Sequence, residues 1–419
     1  MTWKALPMDA TETGAVSSLL TAVFGRGPRP SEAIQREIDL LLDPDRMFVV
    51  HDGPTVVGVG GSYPFELALP GGGAVPMTGV TEVGVAPTHR RRGMLRHIMR
   101  AVVDQAVERG DPIAGLTASE ATIYRRFGFG AATRFQTLSV DSRRLHLAEA
   151  RSRGAGHRAA DDGGRLRFGP ADEVGALLPS LWARSWRRSP GELDRTPAYW
   201  AAHDLDTEED RDGATARFVV VHVDEAGEPD GAATYRLKWG SFTEENNLLA
   251  VESVIATTDE VESALLRYLL HVDLVTRVEW HAAPVDHPLR WWLADSRALS
   301  VTLERDHLWL RPLDVARCLS SRSYATTGGV VVNVVDDDRP EVAGRFRLDA
   351  TPGGAACDRT TAEPDLTLAV ADLGSLLLGG VAWGTLHRAG RVDEHRPGAL
   401  GRADALFRPE RPPYCGTDF

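Results

Sequence analysis

The 419-residue chain is nearly free of lysine: Lys4 and Lys238 are its only two, and the remainder of its 47 basic residues are arginine. Neither lysine follows a glycine, so the Gly-Lys-Ser/Thr loop that cradles nucleotide phosphates is absent. Cysteine is scarce as well. Cys318, Cys357 and Cys415 are scattered and odd in number, which argues against a disulfide framework and fits a reducing compartment. Long apolar runs are missing: the longest charge-free stretches, Leu67 to Thr81 and Leu373 to Leu386, are glycine-rich and shorter than the ~20 residues a bilayer demands. Met1 to Gly14 carries no apolar segment of signal-peptide type, so the expected location is the cytoplasm, with no membrane partner. His-Glu-x-x-His, paired Cys-x-x-Cys and Gly-x-Ser-x-Gly are all absent. His281 and His287 stand too far apart on an irregular stretch to suggest a metal, and none is expected. Gly58-Val59-Gly60-Gly61-Ser62-Tyr63 imitates a dinucleotide loop but puts Tyr63 where the last glycine belongs. Positive charge is in deficit too. A net charge of −12 weighs against a nucleic-acid partner; it serves solubility and suits a cationic ligand.

What remains organises into three blocks, residues 1–150, 151–313 and 314–419. The first opens with helical stretches (Glu12 to Phe24, Ser31 to Leu42) and strands at Met47 to Asp52 and Thr55 to Tyr63. The Gly71-Gly72-Gly73 turn implies a hairpin between Phe65–Leu69 and Ala74–Met77. A strand from Val80 to Val85 feeds a helix from about Gly93 to Arg109; Pro112 to Ala118 is the next strand, and Gln136 to Val140 closes the block. The polar stretch Arg151 to Gly164 is the expected linker. The second block mixes strands with a helix from Asp259 to Val275, and the third carries strands at Val330 to Val335 and Gly344 to Leu348.

Chemistry concentrates in Val83-Gly84-Val85-Ala86-Pro87-Thr88-His89-Arg90-Arg91-Arg92-Gly93-Met94-Leu95-Arg96. An apolar strand runs into a tight basic loop, and an amphipathic helix begins at once. Such a loop aims successive backbone N–H groups at one point, and the helix dipole adds partial positive charge there. Three adjacent arginines make a pyrophosphate the natural ligand.

This segment resembles the coenzyme A loop of the GCN5-related N-acetyltransferases, Arg/Gln-x-x-Gly-x-Gly/Ala, with Leu95 in place of the last small residue. The resemblance implies acetyl-CoA as co-substrate. It places the backbone of Val83, Gly84 and Val85 along the pantetheine arm, and Arg90, Arg91, Arg92, Gly93, Met94, Leu95 and Arg96 around the pyrophosphate. Ser119 and Glu120 border the same site. Downstream, Ala118 to Phe129 is similar to that family's strand-end, short-helix, Tyr-x-x-x-Gly-Phe pattern, which makes Tyr124 the expected proton donor to the leaving thiolate. A phenol with a reference pKa near about 10 keeps its proton at neutral pH and can still give it to an alkyl thiolate.

In the second block, Ala256-Thr257-Thr258-Asp259-Glu260-Val261-Glu262-Ser263 lines up with Ala86 to Gly93, and Glu252 with Glu82. Carboxylates replace the arginines. The echo reads as a duplicated acetyltransferase fold that has lost its cofactor, with coincidental strand–helix likeness as the alternative. Two such units, the first alone with a cofactor loop, then a tail of sterol-carrier-protein-like pattern (Gly344 to Leu348, Asp365 to Leu368, Ser375 to Gly380) resemble the Eis (enhanced intracellular survival) family of actinobacterial acetyltransferases. The expected fold class is therefore α+β. The family resemblance implies direct acetyl transfer to primary amines of aminoglycoside-type polyamines, and a homo-oligomer, hexameric in that family. It also makes the terminal carboxylate of Phe419 the expected catalytic base, with Asp418 and Glu82 as anions for a cationic substrate. Glu82 and Glu120 are the next candidates for the base. A protein or peptide amine as acceptor, and a lipid-binding or scaffolding role led by the tail, stand as rival readings.

Overall fold

The structure is a computed structural model and describes residues 3–147, 164–169, 174–208, 211–240 and 246–419. The expected linker, Arg151 to Gly164, lies outside them up to residue 163. Along the chain come β1 (Leu6–Pro7), α1 (Thr13–Val23), α2 (Glu32–Leu41), β2 (Met47–Asp52), β3 (Thr55–Ala68), β4 (Ala74–Val85) and α3 (Met94–Glu108). They are followed by β5 (Ile113–Thr117), α4 (Ala121–Tyr124), β6 (Gly130–Ala131), β7 (Arg134–Asp141), β8 (Arg165–Gly169), α5 (Leu178–Ser185) and α6 (Pro197–His203). Next are β9 (Phe218–Val223), β10 (Pro229–Lys238), β11 (Leu248–Ala256), α7 (Asp259–Leu270), β12 (Arg277–Pro284), β13 (Leu299–Asp306) and β14 (Leu308–Pro312). Then come β15 (Gly328–Val335), β16 (Gly344–Thr351), β17 (Gly354–Arg359), β18 (Leu366–Ala369), α8 (Val370–Leu376) and β19 (Val392–Glu394).

The contacts divide this α+β chain into two units: Met1–Thr133 with Ser189–Leu205 and Asp306–Phe419, and Arg134–Arg188 with Asp206–Arg305. The first unit holds a sheet of order β1-β2-β3-β4-β5-β14-β6 and a second of order β17-β16-β15-β18-β19. Its strands are longer than the sequence pattern suggests. Thr55–Tyr63 and Phe65–Leu69 merge into β3, because ladder pairing with β4 runs through Pro64 opposite Thr78. One apolar core joins both sheets, with Phe65, Leu67, Met77 and Leu310 packed in the same cluster as Val330, Phe346, Leu373 and Trp383. Burying a large side chain is worth about 1.5–3 kcal/mol each, so this shared core holds the tail block against the first sheet.

The other unit contains one sheet of order β13-β7-β12-β11-β10-β9-β8. Gln136 to Val140 does not close the first sheet as the sequence order suggests: β7 pairs antiparallel with β12, Val140 opposite Val278. In the first sheet β14 takes that place, pairing antiparallel with β5 and with β6. Local pattern identifies a strand, but the choice between two available edges is made by long-range pairing. The helix expected to reach Val275 ends at Leu270, and Leu274 adopts φ 65° beyond it.

Candidate active site

β4 is bent where the chemistry was expected. Val59 pairs with Gly84 and Gly61 with Thr81, so Glu82 and Val83 together face the single residue Gly60. This is a β-bulge, and it forces Glu82 to φ 54°, a left-handed conformation unusual for a residue with a side chain. The bulge turns the end of β4 away from β5. Parallel pairing between them covers only Met77–Ile113, Thr78–Ala114 and Gly79–Gly115, although both strands continue. Beyond Gly79 the two strands form a fork. On the fork side, Val83, Gly84 and Val85 have no strand partner; on the other, Gly84 and Val85 remain laddered to β3.

The basic loop sits beyond the end of β4. Arg90, Arg91 and Arg92 are exposed, as is Arg96 in the first turn of α3. Their shape comes from two left-handed residues, Arg91 at φ 63° and Gly93 at φ 85°. Gly93 occupies the N-cap of α3 and supplies no side-chain cap, so the first N–H groups of a 15-residue helix stay available. The Arg92 guanidinium donates to the Thr88 carbonyl at 3.2 Å, and Arg90 Nε to the Val85 carbonyl at 3.4 Å, which folds the loop back onto its own strand. Met94 differs from expectation: its side chain lies in the core with Val50, Val57 and Ile98, leaving only its main chain to face a ligand. Leu95 likewise packs inward, against a cluster that includes Val80 and Leu116.

Tyr124 ends α4 and is buried in that cluster, beside Val80 of β4 and Leu116 of β5 on the two sides of the fork. Burial pushes its phenol pKa up, a hydrogen bond with Ser119 pulls it back, and the Glu120 charge raises it again. Ser119 and Glu120 themselves are exposed. Glu82 is raised above its ordinary value by burial, against the hydrogen bond from the Tyr63 hydroxyl (3.3 Å) and the charge of Arg26.

The chain end reaches the root of the fork. The Phe419 ring lies 4.8 Å from that of Phe65, and a side chain at Gly79 would meet it at 2.9 Å. The Phe419 main-chain oxygen accepts from Thr117 Oγ1 (2.8 Å) at the end of β5. A carboxylate absent from the sequence-level reading fixes the approach: buried Glu192 accepts from Gly416 N (2.8 Å) and Thr417 Oγ1 (2.7 Å). Arg195 Nε donates to Thr417 Oγ1 at 3.1 Å. Asp418 is exposed, and its charge reaches Tyr199, whose pKa is raised mainly by burial. Glu192 and Arg195 carry no local signal, standing more than two hundred residues before the segment they hold. Fork, arginine loop, Tyr124 and Phe419 are thus brought into one region of the first unit. A bent strand, an open helix start and a buried phenol are the equipment of an acyl transferase that takes a phosphate-bearing donor.

The comparisons agree with this class. Residues 6–132 and 191–314 each match a family model described as an acetyltransferase (GNAT) domain, and residues 315–416 match a sterol carrier protein domain. The chain thus carries two tandem acetyltransferase folds followed by a sterol-carrier-like domain, and is an N-acetyltransferase. A Streptomyces avermitilis protein named as an N-acetyltransferase is 37% identical, covering 99% of this chain and 98% of its own. N-acetyltransferase Eis of Mycobacterium bovis is 33% identical over 90% of each chain. The crystal structure of Eis1 from Mycobacterium abscessus matches all of both chains with a TM-score of 0.85 at 32% identity. The chain belongs to the Eis family of GCN5-related N-acetyltransferases.

Proposed function

We propose that the first domain transfers acetyl from acetyl-CoA directly to a primary amine of a polycationic, aminoglycoside-type acceptor. The observation that carries this is the fork between β4 and β5, with an open arginine-lined helix start beyond one end, buried Tyr124 beside it and Phe419 at its root. These residues fit a pantetheine and a pyrophosphate: Val83–Val85 offer an unpaired strand edge, and Arg90, Arg91, Arg92 and Arg96 offer exposed guanidiniums at the start of α3. When bound, acetyl-CoA supplies an activated acetyl thioester.

Tyr124 Oη keeps its proton because burial raises its pKa, and it is the acid available to a departing thiolate. The Phe419 main-chain carboxylate, tethered by Thr117, holds the amine in line and takes its proton. Such a carboxylate is a weak base, with a reference pKa near about 3.5, so its main contribution is orientation. Glu82 and Asp418 add negative charge for an acceptor with several ammonium groups. Direct transfer is favoured because the three cysteines, Cys318, Cys357 and Cys415, are buried, each with its thiol pKa pushed up by that burial. We read the working protein as a homo-oligomer, hexameric as the family resemblance implies.

The test is thiol release from acetyl-CoA across aminoglycosides, linear polyamines and lysine peptides. Turnover with aminoglycosides supports the reading. Turnover with peptides alone moves the acceptor to protein, and no turnover with any amine overturns it.

A further inference from the structure

The turn that carries Tyr124 is gripped by the sterol-carrier-like domain. Arg125, the next residue, donates two hydrogen bonds to Asp372 of α8, at 2.9 and 2.8 Å. The Asp372 side chain is only 2% exposed, whereas that of Arg125 is 36% exposed. Two residues later, the Phe127 carbonyl accepts from Arg311 of β14, and Arg311 is itself paired at 2.8 Å with buried Asp336. Close packing continues through Gly130, where an added Cβ would overlap the carbonyl of Ala371 in α8. The same small turn after β15 ties down the coenzyme helix: Asp338 faces Arg100 at 3.7 Å, and Arg339 bonds Asp104 at 2.5 Å. Two buried carboxylates of the sterol-carrier-like domain therefore brace the Tyr124 segment, Asp372 directly through Arg125 and Asp336 through Arg311.

Burying an aspartate is costly unless its charge is answered, and each of these is answered by an arginine of, or bonded to, the Tyr124 segment. Arg125 balances Asp372 without needing it for solubility, since a third of its side chain already faces solvent. We propose that Asp372 is a positioning residue for the transfer reaction, acting through Arg125 to hold the Tyr124 hydroxyl in its protonated, productive place. The sterol-carrier-like domain thereby serves as the rear wall of the active site. This rests on the reading of Tyr124 as the acid.

Asp372→Asn is the test, because it keeps the side-chain volume and removes only the charge that answers Arg125. It should lower kcat by about tenfold and change KM for acetyl-CoA less than twofold, because a small misplacement of an acid costs rate while the arginine loop is untouched. Released from its anion, the Arg125 charge should also shift the alkaline limb of the rate profile to lower pH, by favouring the phenolate. In a Tyr124→Phe background the same change should cost less than twofold, since the two act as a unit. Arg391→Ala, which removes the other cation near Asp372 (3.6 Å), should leave kcat within twofold. Amide exchange supplies a readout that needs no turnover: residues 121–129 of Asp372→Asn should exchange at least about tenfold faster, with 86–96 unchanged. Full activity and unchanged exchange in a folded Asp372→Asn protein overturn the proposal, as does an equal loss in the Tyr124→Phe background. If Tyr124→Phe is itself fully active, the reading of the acid fails, and the exchange measurement alone then decides whether Asp372 fixes the turn.

Discussion

β4 with α3, and β11 with α7, are the same design executed twice with opposite outcomes. Each strand pairs in parallel with the next for a short stretch and then parts from it while keeping its antiparallel neighbour, β4 beyond Gly79 and β11 beyond Val251. Each has a bulge that carries a glutamate: Glu82 faces no ladder partner in one, and Glu252 is skipped between Val251 and Ser253 in the other. The difference begins after the strand. Ala86 to Gly93 separates β4 from α3, but only Thr257 and Thr258 separate β11 from α7. The residues aligned with Arg90–Gly93 are therefore already the first turn of a helix, whose N-terminus is capped by Thr258 Oγ1 accepting from Val261 N (3.3 Å). One helix start is left open for a ligand; the other is closed by its own hydroxyl and by Asp259, Glu260 and Glu262. The bulge acids differ likewise. Glu252 is neutralised by Arg217 (2.8 Å) and Arg236, while Glu82 has a phenol for a partner. In the second fold the residues aligned with the loop are wound into a helix start whose exposed groups are already satisfied.

The largest effect should come at the chain end, which lies at the root of the first fork. A short C-terminal extension turns the Phe419 carboxylate into an amide and should lower amine acetylation by about 10³-fold, within the span expected for an acid–base group. Acetyl-CoA binding, measured by calorimetry, should be unchanged. Full turnover by the extended protein would remove Phe419 from the mechanism and turn attention to Glu82 and Glu120.

Tyr124→Phe should cost roughly 10²-fold in kcat with little change in coenzyme affinity. Tyr268→Phe, which breaks the 2.9 Å contact with Tyr235 in the second fold, should leave turnover within twofold. Because burial raises the Tyr124 phenol above its ordinary pKa of about 10, the alkaline limb that it governs should fall above pH 10. A limb well below that would point to another group.

Replacing Arg91 and Arg92 with alanine should weaken acetyl-CoA by about 2 kcal/mol, charge-assisted phosphate contacts being discounted here for solvent exposure. Glu260→Arg should not create a second site. Two coenzymes per chain in either the natural protein or this variant would contradict the contrast between the helix starts.

The bulge glutamates should respond with opposite signs. Glu252→Gln removes the carboxylate charge that Arg217 and Arg236 share and should destabilise the fold by about 1–3 kcal/mol in urea unfolding. Glu82 has a raised pKa in the fold, so its contribution is full below the ordinary carboxylate range and is lost as pH rises through the raised value. Glu82→Gln should accordingly give a small gain in stability at pH 7 that disappears in acid. A loss at pH 7 would show that the carboxylate has a partner beyond Tyr63.

The sequence alone determined the local chemistry. An apolar strand, three arginines and a glycine before an amphipathic helix specify an anion-binding turn, since such a turn depends on backbone conformation and charge within a dozen residues. Tyr124 was marked through the family's Tyr-x-x-x-Gly-Phe pattern, and the duplicated fold through the alignment of Ala256–Ser263 with Ala86–Gly93 and of Glu252 with Glu82. What only the tertiary structure decided is everything that joins distant segments. It assigned Gln136–Val140 to the second sheet and Leu308–Pro312 to the first, it turned the aligned loop of the second fold into a capped helix, and it brought Glu192 to the tail and Asp372 to Arg125. A strand has two edges, and a buried carboxylate accepts any cation that the packing brings within reach. Such partners are selected by the shared core, and no property of the residues near them in sequence records the choice.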